Sequence, residues 1–152
     1  MRVFIGGIMQ GSHQSNVMAD QGYRQAIALA LAQRWPEIEV LDPLCLHPNG
    51  LGYDDASARA TLLAMLDLAH HSDLVIAYLP TASMGTALEI FTAERAGVPV
   101  VAVSPMVHNW VLRSFARRIY PSLESLLAAI RDAPDPLALA DDREGSVVPA
   151  SD

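Results

Sequence analysis

Several residue and segment types are scarce or absent in this sequence of 152 residues. The single cysteine, Cys45, excludes an internal disulfide and fits the reducing environment of the cytoplasm. No apolar run approaches the roughly 18 residues that a membrane span needs, and the residues after Met1 read as a strand rather than a signal peptide. We therefore expect a cytoplasmic protein that does not associate with membranes.

Lysine is also absent, so all ten basic residues are arginines, and the formal net charge is −7. No basic patch or stripe is present, so a nucleic-acid polymer is not an expected partner. The acidic residues are concentrated in residues 132–152, which contain six of the 17 acids, one arginine and several prolines. This composition predicts a single domain over residues 1–132, followed by an acidic, disordered tail over residues 133–152.

The hydrophobic content of 51% and the charged content of 18% are typical of a globular chain with a buried core. Apolar runs predict five strands: Val3–Gly6, Ile38–Leu41, Leu74–Leu79, Val98–Val103 and Ile119–Tyr120. Periodic segments predict five helices, at about 20–34 with Asp20 as N-cap, 54–71, 84–96, 107–117 and 122–131. Residues 42–53 read as a loop, and the core candidates of the second helix are Leu62, Leu63, Leu66 and Ala69.

Strand and helix patterns alternate along the chain, which predicts an α/β fold with a five-stranded parallel sheet between two helical layers. A flavodoxin-like or Rossmann-like three-layer sandwich with strand order 2-1-3-4-5 is expected at this length. Ligands of such folds bind beyond the carboxyl ends of the strands, at the switch point between the first and third strands. The loops predicted there are residues 6–12, 79–85 and 104–109.

One carboxylate, Glu89, lies in the helix that starts at this predicted site. None of the residues three and four positions away is basic, so no helical ion pair explains it; they are Gly85, Thr86, Thr92 and Ala93. A helical glutamate is usually a solvated surface group, yet small side chains leave space above this one. A carboxylate in an apolar cleft can attack a sugar carbon and hold a covalent glycosyl intermediate.

Two loops near the predicted site have the residue types of ligand-binding segments. Gly6, Gly7 and Met9 belong to a glycine-containing loop that could approach an anion with its backbone, although a tight turn explains the glycines equally well. Residues 83–86 start a helix, where Ser83 is a normal N-cap and where an anion or a sugar hydroxyl is also favoured. His108 and Asn109 follow the fourth strand and are polar candidates for ligand contact.

Other residue patterns have simpler explanations than catalysis. His70 and His71 end a helix, where imidazoles are favourable because of the helix dipole. The spacing of Asp42, Cys45 and His47 matches no common zinc pattern. There is no G-x-S-x-G elbow, so a serine triad has no support. We expect neither a metal nor a cofactor.

The run SMGTALEI, preceded by DLVIAYLP and followed by an A-x-x-x-G-V-P-V strand, resembles the nucleoside 2-deoxyribosyltransferase family. That family includes 2′-deoxynucleoside 5′-phosphate N-hydrolases, and the likeness covers about residues 2–110. It implies a flavodoxin-like fold, with Glu89 as the nucleophile that releases the base. It also implies that the Gly85 backbone lies close to the sugar, next to Met84 as a further substrate-binding residue, and that Ser83 indicates a 5′-phosphorylated substrate. A loop of a neighbouring subunit completes the site in the family, so the resemblance implies a homo-oligomer with His108 or Asn109 near that site.

The chain departs from the family pattern in three respects. The family has a first-strand tyrosine that holds the nucleophile, whereas this chain has Val3 and Phe4, and Tyr23 or Tyr78 is a possible replacement. The family also has an aspartate that reads the base, and Met65 stands at the corresponding position. The first loop lacks the arginine that the hydrolases use.

We therefore expect an enzyme that cleaves the N-glycosidic bond of nucleosides through Glu89 and transfers the sugar to another base. The alternatives are an N-glycosidase that hydrolyses nucleoside 5′-monophosphates and a non-catalytic domain that binds or senses nucleotides. A structural oligomerisation module is a third hypothesis, but it leaves Glu89 unexplained.

Overall fold

Five parallel strands form the centre of the fold, in the order β2-β1-β3-β4-β5. The computed structural model describes residues 1–9, 19–48 and 52–141. The strands are β1 (Arg2–Gly7), β2 (Glu39–Leu41), β3 (Leu74–Tyr78), β4 (Val100–Val103) and β5 (Arg118–Tyr120). All four neighbouring pairs are parallel. The predicted α/β class and strand order are confirmed.

Helices cover both faces of the sheet, because successive strand residues point to opposite sides. The helices are α1 (Gly22–Arg34), α2 (Pro43–Leu46), α3 (Asp55–His70), α4 (Met84–Arg95), α5 (Trp110–Phe115) and α6 (Leu123–Asp132). Val3 and Ile5 pack with α1 and α6 in one core cluster, whereas Phe4 packs with α3, α4 and α5 in the other. The molecule therefore has the predicted three layers. No helix in the described part of the chain combines the length and apolar character that crossing a bilayer requires.

Local sequence signals explain most helix ends. The side chains of Asp54, Ser83, Asn109 and Ser122 each accept a hydrogen bond from a backbone N–H in the first turn of the following helix. Gly97 has a φ of 79° just after α4 and the Ala96 C-cap, a conformation that glycine adopts without strain. The α4 helix, which carries Glu89, is therefore delimited at both ends by its own sequence.

Two predictions about local structure were wrong. The N-cap of α1 is Gln21 rather than Asp20, although Asp20 Oδ1 accepts a hydrogen bond from Gly22 N at 3.2 Å. The predicted loop over residues 42–53 contains α2, because Asp42 caps it through Leu44 N and Pro43 occupies its first position. Residues 49–51 of that segment lie outside the described residues.

The buried side of α3 also differs from the prediction. Leu62 and Leu63 are exposed, Leu66 is half-buried, and the buried residues are Met65 and Ala69. Met65 and Ala69 are four residues apart, so they lie on one helix face and both pack against the sheet. Ala69 is buried as predicted, whereas the three leucines were wrongly selected, because α3 has apolar residues on several sides.

Residues 133–141, the first part of the predicted disordered tail, are ordered and partly buried. A 3₁₀ helix, Leu137–Ala140, packs in the same core cluster as α1 and α6, and Leu139 is 1% exposed. The Tyr120 hydroxyl donates to the Leu139 carbonyl at 3.0 Å. The average composition of residues 133–152 concealed this short apolar segment, and the prediction was wrong for residues 133–141. Residues 142–152 lie outside the described residues.

Candidate active site

A cavity of about 310 Å³ lies at the carboxyl ends of β1 and β3. This is the switch point of the strand order, where ligands of open α/β sheets bind. The lining residues come from three regions: Gly7, Met9 and Arg24; Pro43, His47, Tyr53, Ala58, Thr61, Leu62 and Met65; and Ser83, Met84, Gly85, Thr86 and Glu89. The volume is in the range of pockets that hold small molecules.

The Glu89 side chain is buried at the bottom of this cavity, with 7% of the residue exposed. Its carboxylate packs against the end of β1, since a Cβ on Gly6 would lie 2.6 Å from Glu89 Oε2. That oxygen has no hydrogen-bond partner among the described residues. Buried carboxylate oxygens are normally paired, so an unpaired one on a side chain that lines a cavity makes Glu89 a candidate functional residue.

Burial raises the pKa of Glu89 from its ordinary value of 4.5 to about 8, and the positive charge of Arg24 opposes this rise. Desolvation disfavours the charged form of a carboxyl group. A glutamate with a pKa in this range, in a cleft and near one specific charge, is a candidate functional group rather than an ordinary surface residue.

Ser83 caps the helix that carries Glu89. Its Oγ accepts hydrogen bonds from Thr86 N at 3.4 Å and from Thr86 Oγ1 at 3.1 Å. Since both bonds use the oxygen as an acceptor, the hydroxyl hydrogen is available to a ligand acceptor. Apart from its chain neighbours and the backbone of α4, no described atom lies within 4 Å of the position that a Cβ on Gly85 would take, so the start of α4 is open towards the cavity.

Most of the predicted site residues meet at this cavity. Glu89, Gly7, Met9, Ser83, Met84 and Gly85 line it, whereas Gly6 lies beneath the Glu89 carboxylate. Residues 10–12 of the predicted first loop lie outside the described residues.

His108 and Asn109 do not line the cavity in the described part of the chain. His108 is exposed, and Asn109 Oδ1 caps α5 by accepting from Val111 N at 2.9 Å. Their predicted position at a neighbouring subunit's site stays a prediction.

Arg24 is a site residue that sequence reasoning missed. It is 2% exposed, lines the cavity and forms an ion pair with Asp42, with 2.9 Å between Arg24 Nη1 and Asp42 Oδ1. The signal was present in the spacing, because Arg24, Ile27 and Leu31 lie on the same face of α1 and the two apolar residues are buried. A charged residue in phase with a buried stripe indicates a paired internal charge.

His47 and Tyr53 form a polar part of the wall opposite α4. His47 Nδ1 lies 3.2 Å from the Tyr53 hydroxyl, and both residues line the cavity. The adjoining α3 wall is mostly apolar, and Met65 is part of it. The cavity therefore has a methionine where the family resemblance implies an aspartate that reads the base. The sequence pattern that would reveal His47 and Tyr53 is weak, because they come from a segment read as a loop.

Tyr23 and Tyr78, the two possible replacements for a tyrosine on β1, stack with ring centroids 4.2 Å apart. A Cβ on Gly7 would overlap the Tyr23 hydroxyl, so this glycine makes room for the ring. Burial raises the pKa of Tyr23, and the charge of Glu89 adds to the rise. Neither the Tyr23 hydroxyl nor Glu89 Oε2 has a hydrogen-bond partner among the described residues, so the two groups are not bonded to each other.

Comparisons with known proteins show a fold that is shared with nucleoside-processing enzymes. No protein-family model matches the chain. No curated protein matches it either. Among solved structures, a conserved protein from Enterococcus faecalis is 23% identical with a TM-score of 0.59, and the match covers 86% of this chain and 97% of that one.

Two further solved structures of similar fold belong to enzymes. A 2-deoxyribosyltransferase from Bacillus psychrosaccharolyticus is 14% identical with a TM-score of 0.61, over 91% of this chain and 96% of that one. A CMP N-glycosidase from Clostridium botulinum is 19% identical with a TM-score of 0.57, over 88% of this chain and 100% of that one. At these identities the likeness is one of fold.

Proposed function

We propose that this chain is a member of the nucleoside 2-deoxyribosyltransferase family that cleaves N-glycosidic bonds of nucleosides or nucleotides through Glu89. The observation that carries the proposal is the buried Glu89 carboxylate, which lines the cavity at the switch point of the sheet with one oxygen unpaired among the described residues. The fold is also that of a 2-deoxyribosyltransferase and a CMP N-glycosidase, which supports this reaction class.

The proposed reaction has two steps. In the first, a Glu89 oxygen bonds to the anomeric carbon of the sugar while the bond from that carbon to the base breaks, and the electron pair leaves with the base. In the second, a nitrogen of another base, or a water, attacks the same carbon while the bond from that carbon to Glu89 breaks. The proton that the attacking group loses balances the proton that the departed base takes up. Glu89 must be charged to attack. In a dry cleft the charged carboxylate is poorly solvated, which makes it more reactive towards the sugar carbon.

The cavity walls suggest an orientation for the substrate. The sugar lies between Glu89 and the start of α4 at Gly85, which the described side chains leave open. The flat base lies against the apolar α3 wall, next to Met65. The 5′ group then lies near Ser83, whose hydroxyl hydrogen can be donated to a phosphate or hydroxyl oxygen.

Transfer of 2-deoxyribose to another base is our first assignment, and hydrolysis of nucleoside 5′-monophosphates is the alternative. Ser83 favours the nucleotide, because the resemblance associates serine at this position with the 5′-phosphate. A non-catalytic domain that binds nucleotides is the second candidate function. It is favoured by the apolar Met65 in the base wall and by the lack of a hydrogen bond between Tyr23 and Glu89.

Exposed apolar side chains next to the cavity support the proposed homo-oligomer. Met84, Leu88 and Phe91 lie on one face of α4, and Met84 is 87% exposed. Trp110, 83% exposed, starts the neighbouring helix α5. A second copy of the chain would cover these side chains, and Leu88→Glu is expected to shift the mass measured by light scattering from oligomer to monomer. A wild-type chain that is already monomeric would contradict the oligomer.

Incubation with nucleosides and with 5′-mononucleotides, each with and without an acceptor base, tests the activity. Liquid chromatography should detect released base with the wild type and none with Glu89→Ala. Glu94→Ala, which removes another carboxylate of α4 that does not line the cavity, is the matched control. Exchange of bases indicates a transferase, release from nucleotides alone indicates the hydrolase, and binding without turnover indicates the non-catalytic domain. Full activity in Glu89→Ala would exclude the proposed nucleophile.

A further inference from the structure

The buried Arg24 side chain connects the end of β1 to the start of α2. Its Nη1 donates to the Ile5 carbonyl at 2.7 Å and its Nη2 to the Gly7 carbonyl at 3.3 Å. Nη1 also lies 2.9 Å from Asp42 Oδ1, and Nε donates to Gln21 Oε1 at 2.7 Å. A buried guanidinium with four such bonds is held in one orientation.

These bonds bear directly on the position of Glu89. Ile5 and Gly7 are the neighbours of Gly6 in β1, and Gly6 is the residue against which Glu89 Oε2 packs. Arg24 therefore binds the carbonyl groups of the two residues on either side of Gly6, the residue against which the Glu89 carboxylate packs. Asp42 accepts from both Arg24 and Leu44 N, so it holds the guanidinium and caps α2 at once.

Among the charged groups around Glu89, Arg24 is the one that acts as its electrostatic partner. Arg24 is the cation that favours the charged form of Glu89. The α3 residues of the cavity wall carry no ionisable group, and Arg113 of α5 is exposed. The remaining ionisable groups near the cavity in the described part of the chain are Tyr23 on α1, Tyr78 on β3, and Asp42, His47 and Tyr53 between β2 and α3. Asp42 is the negative group paired with Arg24, so it offsets part of that positive charge.

We propose that Arg24 and Asp42 are a pair of positioning residues for Glu89: Arg24 holds the end of β1 and stabilises the charged carboxylate, and Asp42 orients Arg24 and moderates its charge. No motif of the resemblance includes either residue. The catalytic consequence rests on the proposed function, but the electrostatic consequence does not, because it can be measured on the resting protein.

The two residues have opposite charges, so their removal has opposite effects on Glu89. Arg24→Gln removes the stabilising cation, and the pKa of Glu89 should rise by about one unit or more. Asp42→Asn keeps an oxygen acceptor for Arg24 and removes the opposing negative charge, so the pKa of Glu89 should fall by about one unit. Arg24→Lys keeps the charge but loses the two-pronged hydrogen bonding, so the pKa should stay close to the wild type.

Carbon-13 NMR titration of the Glu89 carboxyl in the intact chain measures these shifts, with the Glu89→Gln variant identifying the signal. Arg59→Gln, which removes an exposed arginine of α3, is the control and should leave the titration unchanged. Opposite shifts in Arg24→Gln and Asp42→Asn support the pair. If both variants remain folded by circular dichroism and the pKa of Glu89 shifts in the same direction in both, or does not shift, the proposal is overturned. If Arg24→Gln fails to fold, the direction of the Asp42→Asn shift decides by itself.

Kinetics then separate this inference from the proposed function. If the wild type releases base, Arg24→Lys should lower kcat by about tenfold or more with a smaller effect on KM. The reason is that this variant displaces the Glu89 carboxylate without changing its ionisation. An unchanged kcat in Arg24→Lys would exclude the positioning role. If the wild type releases no base, the proposed function fails, whereas the NMR titration still decides the electrostatic role.

Discussion

Gly6 and Glu89 fit together at the end of β1: any side chain at Gly6 would occupy the space of the carboxylate, because a Cβ there would lie 2.6 Å from Glu89 Oε2. The two residues lie far apart in the sequence and on different elements, a strand and a helix. Their contact explains why the first of two consecutive glycines is needed. The requirement is one of space rather than of backbone conformation, since among the described glycines the positive φ belongs to Gly97.

The first prediction concerns this contact. Gly6→Ala should displace the Glu89 carboxylate and lower the rate of base release by about tenfold or more, since small errors in the position of a nucleophile are costly. It should also destabilise the fold by about 1–3 kcal/mol through overpacking. Gly22→Ala is the control, because a Cβ there meets its nearest atom, Asp20 Oδ1, at an ordinary 3.5 Å. Steady-state kinetics and urea unfolding measure both effects, and a fully active Gly6→Ala would contradict the prediction.

The second prediction is a dependence of stability on pH that Glu89 causes. The native carboxyl keeps its proton up to about pH 8, whereas the unfolded chain releases it near 4.5. The native state therefore binds more protons between these values, and the free energy of unfolding falls as the pH rises through this range and levels off above it. The total contribution is on the order of a few kcal/mol.

Glu89→Gln lacks this titration, so its stability relative to the wild type should increase from pH 5 to pH 9. Urea unfolding of both proteins at pH 5, 7 and 9 measures the difference. A constant difference across these pH values would show that the Glu89 pKa is not raised in the native state.

The third prediction applies the same titration to the reaction. Glu89 attacks as the charged form, so kcat/KM should increase about tenfold per pH unit below the pKa of the free enzyme and reach a plateau above it. With a Glu89 pKa of about 8, the midpoint of the rise should lie near pH 8. A pH profile of base release from 6 to 9.5 measures it. A profile that is already flat at pH 6 would indicate a solvated carboxylate or a different rate-limiting group.

The fourth prediction concerns the segment that follows α6. Leu139 is 1% exposed and packs in the core, whereas Leu137, two residues earlier, is 47% exposed. Leu139→Ala should therefore lower the free energy of unfolding by about 2–5 kcal/mol, and Leu137→Ala should change it by less than about 1 kcal/mol. Thermal or urea unfolding compares the two variants, and equal effects would place the segment outside the core.

The local parts of the fold were predictable from sequence because their causes are local. Apolar runs identified the five strands of the sheet, and the N-cap side chain of Ser83 marked a helix start that the structure confirms. The errors came from places where local signals were ambiguous. The apolar residues of α3 did not specify which side is buried, and the average composition of residues 133–152 concealed Leu139.

The sequence by itself determined the alternation of strands and helices, the strand order that follows from it at this chain length, and the placement of Glu89 on the helix beside the switch point. These properties depend on periodicity, helix caps and connection rules, which act over a few residues or over whole elements. Only the tertiary structure decided that Gly6 supports Glu89 and that Arg24 is paired with Asp42 beneath the cavity. Such contacts join elements distant in sequence, and they depend on how the helices pack on the twisted sheet, which no local pattern records.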